Sequence, residues 1–338
     1  MEHLLDVRNL KVHFKTYGGE VQAVRGVTFH VDAGETVAVV GESGCGKSVT
    51  AQAIMGLIPC PPGRIADGSI SFQGVEITKL SKKELLQLRG SGIGMIFQDP
   101  MTALNPTMKV GSQLTEGLVH HQGVSREQAH QRAVELLRMV GIPDAEKRVE
   151  QYPHEFSGGM RQRVVIAIAL ACNPKLVIAD EPTTALDVTV QAQILDLLKE
   201  LQATTNMSII MITHDLGVVA EIAHRAVVMY AGIVVESGPV KAIFAEPKHP
   251  YTWGLLRSMP RLDSNEKEPL IPINGTPPDL FHPPQGCPFA DRCDYAMEIC
   301  ERQMPAPTSF ADGHQAACWL HDSRAPRIEE LIASGRQA

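Results

Sequence analysis

No apolar run in this chain approaches the roughly 18 residues that suggest a membrane-spanning helix, and the opening stretch MEHLLDVRNLKVHF lacks a basic segment followed by an apolar one. The chain is therefore expected in the cytoplasm, without a membrane segment of its own. Positive charge is also in short supply. Lys and Arg number 31 against 38 Asp and Glu, a net charge of −7, which gives no support to a protein that holds nucleic acid by neutralising phosphates and leaves room only for a local basic patch. There is no internal repeat and no low-complexity tract. Closely spaced C-x-x-C knuckles are missing too. Seven cysteines are present, an odd number, and four of them (Cys287, Cys293, Cys300 and Cys318) follow one another with five, six and seventeen intervening residues. In a reducing compartment such a cluster points to metal binding rather than to disulfides.

With 338 residues, 44% hydrophobic, the chain can bury a substantial core and is long enough for two or three domains. Up to about residue 97, short β-branched runs alternate with turn residues (LLDVRNLKVHF, VQAVRGVTFHV, ETVAVV) and read as strands. From Val110 to about Gly141 the pattern turns helical, with REQAHQRAVELLRMVG placing Ala129, Ala133, Leu136, Leu137 and Val140 on one face. The region 100–165 is expected to be a helical subdomain. LVIAD and SIIMITH, separated by the helical VQAQILDLLKELQATT, have the βαβ rhythm of a parallel sheet. After Gly238 prolines crowd in and periodicity fades. A boundary near 240 separates domains 1–240 and 241–338.

The strongest signal is GESGCGKS, Gly41 to Ser48, which fits G-x-x-x-x-G-K-[ST] between an apolar strand and a helical stretch. Gly41, Gly44 and Gly46 let the backbone curl so that N–H groups face phosphate oxygens, and the following helix aims its positive end at the anion. Lys47 supplies a mobile charge for the β and γ phosphates, and the Ser48 hydroxyl can ligate Mg²⁺. LVIADEP then ends a buried strand in Asp180 and Glu181, one carboxylate for Mg²⁺ and one for the attacking water; taken alone, such a pair would also suit a solvated loop start.

FSGGMRQR, Phe156 to Arg163, shortly before LVIADEP, resembles the signature motif of ATP-binding cassette ATPases. IFQDP with Gln98, TTALD with Asp187 and MITHD with His214 resemble that family's Q-loop, D-loop and switch histidine in the same order. The resemblance implies an α/β fold: a RecA-like P-loop NTPase core with an antiparallel β subdomain and an α-helical subdomain. It implies ATP bound by Gly41, Ser43, Gly44, Cys45, Gly46, Lys47, Ser48, Val49, Gln98 and Asp180. Mg²⁺ would sit on Ser48, Gln98 and Asp180, with Glu181 polarising water and His214 contacting the γ-phosphate. Ser157, Gly158 and Gly159 would serve the nucleotide of a partner subunit. Tyr17 is a candidate to stack on adenine, or a plain strand-edge tyrosine; His214, without the family, would read as a satisfied histidine at a strand end. Met160 departs from the family, where many relatives carry Gln. The thiol of Cys45 offers a handle for alkylation, Cys172 reads as a packed helix residue, and nothing in the sequence explains Cys60.

IFQDPMTALNP and KHPYTWGLL (HPYT at His249 to Thr252) are similar to the subfamily that drives oligopeptide and dipeptide importers, which adds a C-terminal extension to the cassette. Four thiolates can hold zinc or an iron–sulfur cluster, and these spacings match neither zinc knuckles nor ferredoxin runs. The resemblance implies a [4Fe–4S] cluster on Cys287, Cys293, Cys300 and Cys318 in a small loop-rich domain, with Zn²⁺ as the alternative. It also implies a peripheral subunit on the cytoplasmic face, paired with a second homologous ATPase (or with its own copy), two membrane permeases and, indirectly, an external solute-binding protein. Peptide is the expected cargo; nickel or another solute, and a soluble cassette ATPase outside transport, are the alternatives.

Overall fold

In the computed structural model, residues 3–184, 186–259 and 272–326 are described. The segments 260–271 and 327–338 of the predicted C-terminal extension, and Ala185 of TTALD, lie outside the described residues. The strands, in chain order, are β1 (Leu5–Thr16), β2 (Gly19–Val31), β3 (Thr36–Val40), β4 (Gly63–Phe72), β5 (Val75–Glu76), β6 (Ile93–Ile96), β7 (Leu176–Asp180), β8 (Ser208–Thr213), β9 (Arg225–Tyr230), β10 (Ile233–Pro239), β11 (Thr308–Ser309) and β12 (Gln315–Ala316). The helices are α1 (Lys47–Ile54), α2 (Lys82–Ser91), α3 (Pro100–Ala103), α4 (Val110–Gln122), α5 (Arg126–Met139), α6 (Ala145–Arg148), α7 (Gly158–Leu170), α8 (Val188–Thr205), α9 (Leu216–Ile222), α10 (Val240–Ala245), α11 (Pro250–Arg257) and α12 (Glu298–Arg302). The chain divides into two compact units, neither of which ends at residue 240.

The first unit gathers residues 6–30, 37–70 and everything from 213 onward. Strands β2, β1 and β4 lie side by side in that order. Strand β3 runs parallel to β9, which pairs antiparallel with β10. The five residues of β3 are all buried, as expected of a parallel strand covered on both faces, which is why VAVV after Thr36 is continuously apolar rather than alternating. Strand β10 also pairs with β12, through Glu236 opposite Ala316 and Ser237 opposite Gln315, and β12 pairs with β11. The proline-rich segment thus continues the strand pairing of β9 and β10 and shares their core. Val228, Tyr230, Tyr251, Cys287, Phe289 and Cys300 belong to one buried cluster.

The second unit comprises 1–5, 31–36 and 71–212. Strands β6, β7 and β8 are parallel neighbours, buried throughout, in the βαβ rhythm read from the sequence. Five helices, α3 to α7, fill the region predicted to be helical. Helix α5 buries the predicted Ala129, Ala133, Leu136 and Leu137, and Val140 at its C-cap is buried as well. Helix α2 is the element that the strand-like reading of residues 1–97 passed over. Its signal was present: Ser81 and Glu84 form a reciprocal capping box, each side chain satisfying the other's backbone N–H. With no buried residue of its own, α2 has too weak an apolar stripe to stand out from the neighbouring strands.

Candidate nucleotide site

The phosphate loop runs from the end of β3 into α1. Gly41, Gly44 and Gly46 have φ of 151°, 79° and 98°, a region that L side chains rarely adopt. At Gly41 a Cβ would lie 2.2 Å from the Met229 carbonyl oxygen, and at Gly46 2.5 Å from that of Ala23, whereas at Gly44 it would meet open space. Lys47, 5% exposed, folds back so that Nζ donates to the carbonyls of Gly41 at 2.8 Å and Glu42 at 3.1 Å. These two carbonyls keep the ammonium poised over the loop. Ser43 and Gly44 are exposed and Ser48 and Val49 half-buried at the start of α1. The Cys45 thiol is 4% exposed, and burial pushes its pKa up, both of which weigh against its serving as an alkylation handle. In the same unit Tyr17 stands fully exposed at the β1–β2 turn, free to stack, and His214 is exposed between β8 and α9.

In the second unit β7 delivers its two carboxylates. Asp180 ends the strand at 7% exposure. Glu181 follows with φ 49°, an uncommon left-handed conformation for a non-glycine residue, and its N–H donates to the Ile212 carbonyl of β8 at 2.9 Å. Its Oε2 accepts from Gln98 Nε2 at 3.0 Å and from Thr184 Oγ1 at 3.0 Å. Gln98 and Glu181 are therefore in direct contact, although 83 positions separate them. Thr184 was not singled out from the sequence, although it lies within TTALD, three residues after Glu181.

Ser157 caps α7, its Oγ accepting from the Met160 N–H at 3.4 Å. Ser157 and Gly158 are exposed, while buried Phe156 anchors the segment behind them. A Cβ at Gly159 would press on Val190 at 2.9 Å, so the small residue there is a packing requirement. Asp187 caps α8 by accepting from the Val190 N–H at 2.9 Å.

The four clustered cysteines are unbridged. Cys287 and Cys300 are buried, the Cys287 N–H donates to the Cys300 carbonyl at 2.7 Å, and Cys300 Sγ accepts from the Met297 N–H at 3.4 Å. Burial first, and neighbouring cluster thiols after it, push the Cys287 thiol up to about 11 and those of Cys293 and Cys318 up to about 12. Among the described residues, no three of these sulfurs lie within 4.8 Å of one another. A single tetrahedral zinc, with Zn–S near 2.3 Å, would need sulfurs about 3.8 Å apart. Of the remaining cysteines, Cys172 is half-buried beside Gly117, and exposed Cys60 has no structural role that the structure explains.

The ABC transporter family profile matches residues 24–184, and that of the oligopeptide/dipeptide transporter C-terminal region matches residues 235–300. The oligopeptide transport ATP-binding protein OppD of Bacillus subtilis is 63% identical over 96% of this chain and 91% of its own length. The dipeptide transport ATP-binding protein DppD of the same organism is 58% identical over 99% of both chains. Among solved structures, the ATP-binding cassette MJ0796, in a dimeric post-hydrolysis state bound to ADP and Pi, is similar with a TM-score of 0.63 and 28% identity, over 70% of this chain and 98% of that one. The cbiO1 protein of Clostridium perfringens, part of the ABC transporter complex cbiONQ, matches with a TM-score of 0.63 and 31% identity over 73% of this chain and 92% of its own. With more than half of its residues shared with both Bacillus relatives over almost its full length, the chain belongs to the ABC transporter family, among the ATP-binding subunits of the oligopeptide/dipeptide importer type.

Proposed function

We propose that this subunit hydrolyses ATP to power the import of di- or oligopeptides. The observation that carries the chemistry is Glu181, held at the end of a wholly buried strand by Gln98 and Thr184 on one carboxylate oxygen. A carboxylate fixed in this way would orient a water, and the glutamine that touches it would report on the metal. Mg²⁺ would be held by Ser48, Gln98 and Asp180, the phosphates by the Gly41–Ser48 loop with Val49 behind it, and the γ-phosphate by His214, with Tyr17 stacking on the base. The exposed Ser157–Gly158 end of α7 would serve the nucleotide of a second ATPase subunit, homologous or identical, with Asp187 beside it in the pairing. No described helix is long and apolar enough to cross a membrane, so the permeation path would belong to two other chains, with this one peripheral on their cytoplasmic side.

Cys287, Cys293, Cys300 and Cys318 would hold a [4Fe–4S] cluster, a reading supported by the all-thiol donor set and by spacings unlike those of zinc knuckles, with Zn²⁺ as the alternative. When bound, such a group would cross-link this proline-rich segment and supply a redox-active centre.

Two experiments test these readings. A strain lacking the gene should lose uptake of a labelled tripeptide and regain it with wild type but not with Glu181→Gln; uptake restored by that variant overturns the catalytic assignment. Protein purified without oxygen should carry about four irons with matching sulfide per chain and a broad visible band, whereas one zinc per colourless chain would overturn the cluster.

A further inference from the structure

Arg292 lies in the CPFADRC stretch, immediately before Cys293, yet its side chain reaches the phosphate loop. That side chain is 5% exposed and forms a two-pronged pair with Glu42, the second residue of GESGCGKS: Nη1 to Oε2 at 2.7 Å and Nη2 to Oε1 at 3.0 Å. Its other donors go to the Tyr230 hydroxyl at 3.0 Å, the Asn274 carbonyl at 2.8 Å and the Ile273 carbonyl at 3.2 Å. A guanidinium has five N–H groups, and all five are used here. The ring faces of Tyr230 and Phe289 lie 5.7 and 5.9 Å from its centre. Nothing about this arrangement is loose.

Glu42 is held from a second side. Its backbone N–H donates to the hydroxyl of buried Tyr251 at 2.9 Å, and its carbonyl is one of the two that hold Lys47 Nζ. Both Tyr251 and Arg292 come from the segment beyond residue 240. The charge at this position is also unexpected. A carboxylate inside an anion-binding loop opposes the phosphates that the loop exists to bind, unless a fixed cation cancels it. A forked guanidinium does this at a fixed distance, which a flexible ammonium does not.

We infer that Arg292 is a positioning residue of the phosphate loop: from the cysteine-bearing segment it fixes and neutralises Glu42, so that the integrity of this segment sets the affinity for ATP. The inference rests on the reading of Gly41–Ser48 as the nucleotide site.

The test is ATP affinity of the full-length chain, measured by displacement of a fluorescent ATP analogue, with thermal unfolding and metal content recorded for every variant. Arg292→Gln should weaken ATP about tenfold, with the loss appearing in KM and not in kcat for hydrolysis, because the carboxylate is left uncompensated. Adding Glu42→Gln to that variant should bring affinity back to within about threefold of wild type, an outcome that electrostatics predicts and a purely structural brace does not. Wild-type affinity in Arg292→Gln, or a double variant as weak as the single one, overturns the inference. If the glutamine variant does not fold, Arg292→Lys keeps a cation in place without the fork. Threefold or greater weakening then supports the inference, and unchanged affinity overturns it. Lys47→Ala tests the underlying reading separately: if it binds ATP as wild type does, the loop is not the nucleotide site and the inference falls with it.

Discussion

Replacing Glu236 with alanine should be among the most damaging single changes in the C-terminal half. The side chain of Glu236, in β10, is fully buried. Its carboxylate accepts from the Lys248 N–H at 2.6 Å, from the His249 N–H at 2.9 Å and from His314 Nε2 at 2.7 Å. These three bonds tie the HPYT segment and the strand around Ala316 to the same point on β10. Alanine leaves the buried His249 N–H and His314 imidazole, and the half-buried Lys248 N–H, without this acceptor. Each stranded donor costs about 1–3 kcal/mol, so the three together put the expected loss at about 4–5 kcal/mol. At roughly 2 °C per kcal/mol for a chain of this size, the unfolding midpoint should fall by about 8–10 °C. Because His249 caps α11 through the Tyr251 N–H, and the Tyr251 hydroxyl holds the Glu42 N–H, ATP affinity should fall with it. The assay is thermal unfolding of the full chain followed by far-ultraviolet dichroism, with and without saturating MgATP. A midpoint within about 2 °C of wild type would refute the assignment of Glu236 as the anchor of this segment.

The phosphate-loop glycines should separate by cause. Gly41→Ala drives a Cβ to 2.2 Å from the Met229 carbonyl and should abolish ATP binding, whereas Gly44→Ala meets open space and should cost only about 1–2 kcal/mol for its left-handed backbone; equal damage from the two in unfolding and nucleotide titrations would contradict this reading. Burial, with the nearby His321 adding to it, pushes the pKa of His249 from 6.5 down to about 3. The unfolded chain takes up that proton below about pH 6.5 while the folded chain refuses it, so stability present at neutral pH is lost as pH falls, by about 2 kcal/mol at pH 5. His249→Asn, which preserves a cap acceptor, should remove this dependence, and urea unfolding at pH 7 and pH 5 checks it. Treatment of the native chain with N-ethylmaleimide should label exposed Cys60 well before buried Cys45, as read by peptide mass spectrometry; Cys45 labelled first would mean that its burial is misjudged.

Much of the local backbone of the candidate site was legible because its information is contiguous. GESGCGKS specifies a turn, a lysine and a helix start within eight residues, and LVIAD announces a buried strand by its unbroken apolarity, with Asp180 and Glu181 necessarily at its end. The α5 stripe was readable for the same reason, since helical spacing alone assigns its buried face. The capping box at Ser81 was just as local, and was passed over only because α2 buries nothing.

The sequence by itself thus determined the local backbone: which segments are strands or helices, where glycine is obligatory, and which residue types each turn offers to a ligand. Tertiary structure decided the partnerships. Gln98 meets Glu181 across 83 positions, His314 meets Glu236 across 78, and Arg292 meets Glu42 across 250. No periodicity links such pairs, because short-range propensity fixes only the φ and ψ of neighbours, whereas these contacts form when separately encoded elements pack and their polar groups find partners. For the same reason CPFADRC, which reads in isolation as a metal-binding stretch, also carries the arginine that grips the phosphate loop.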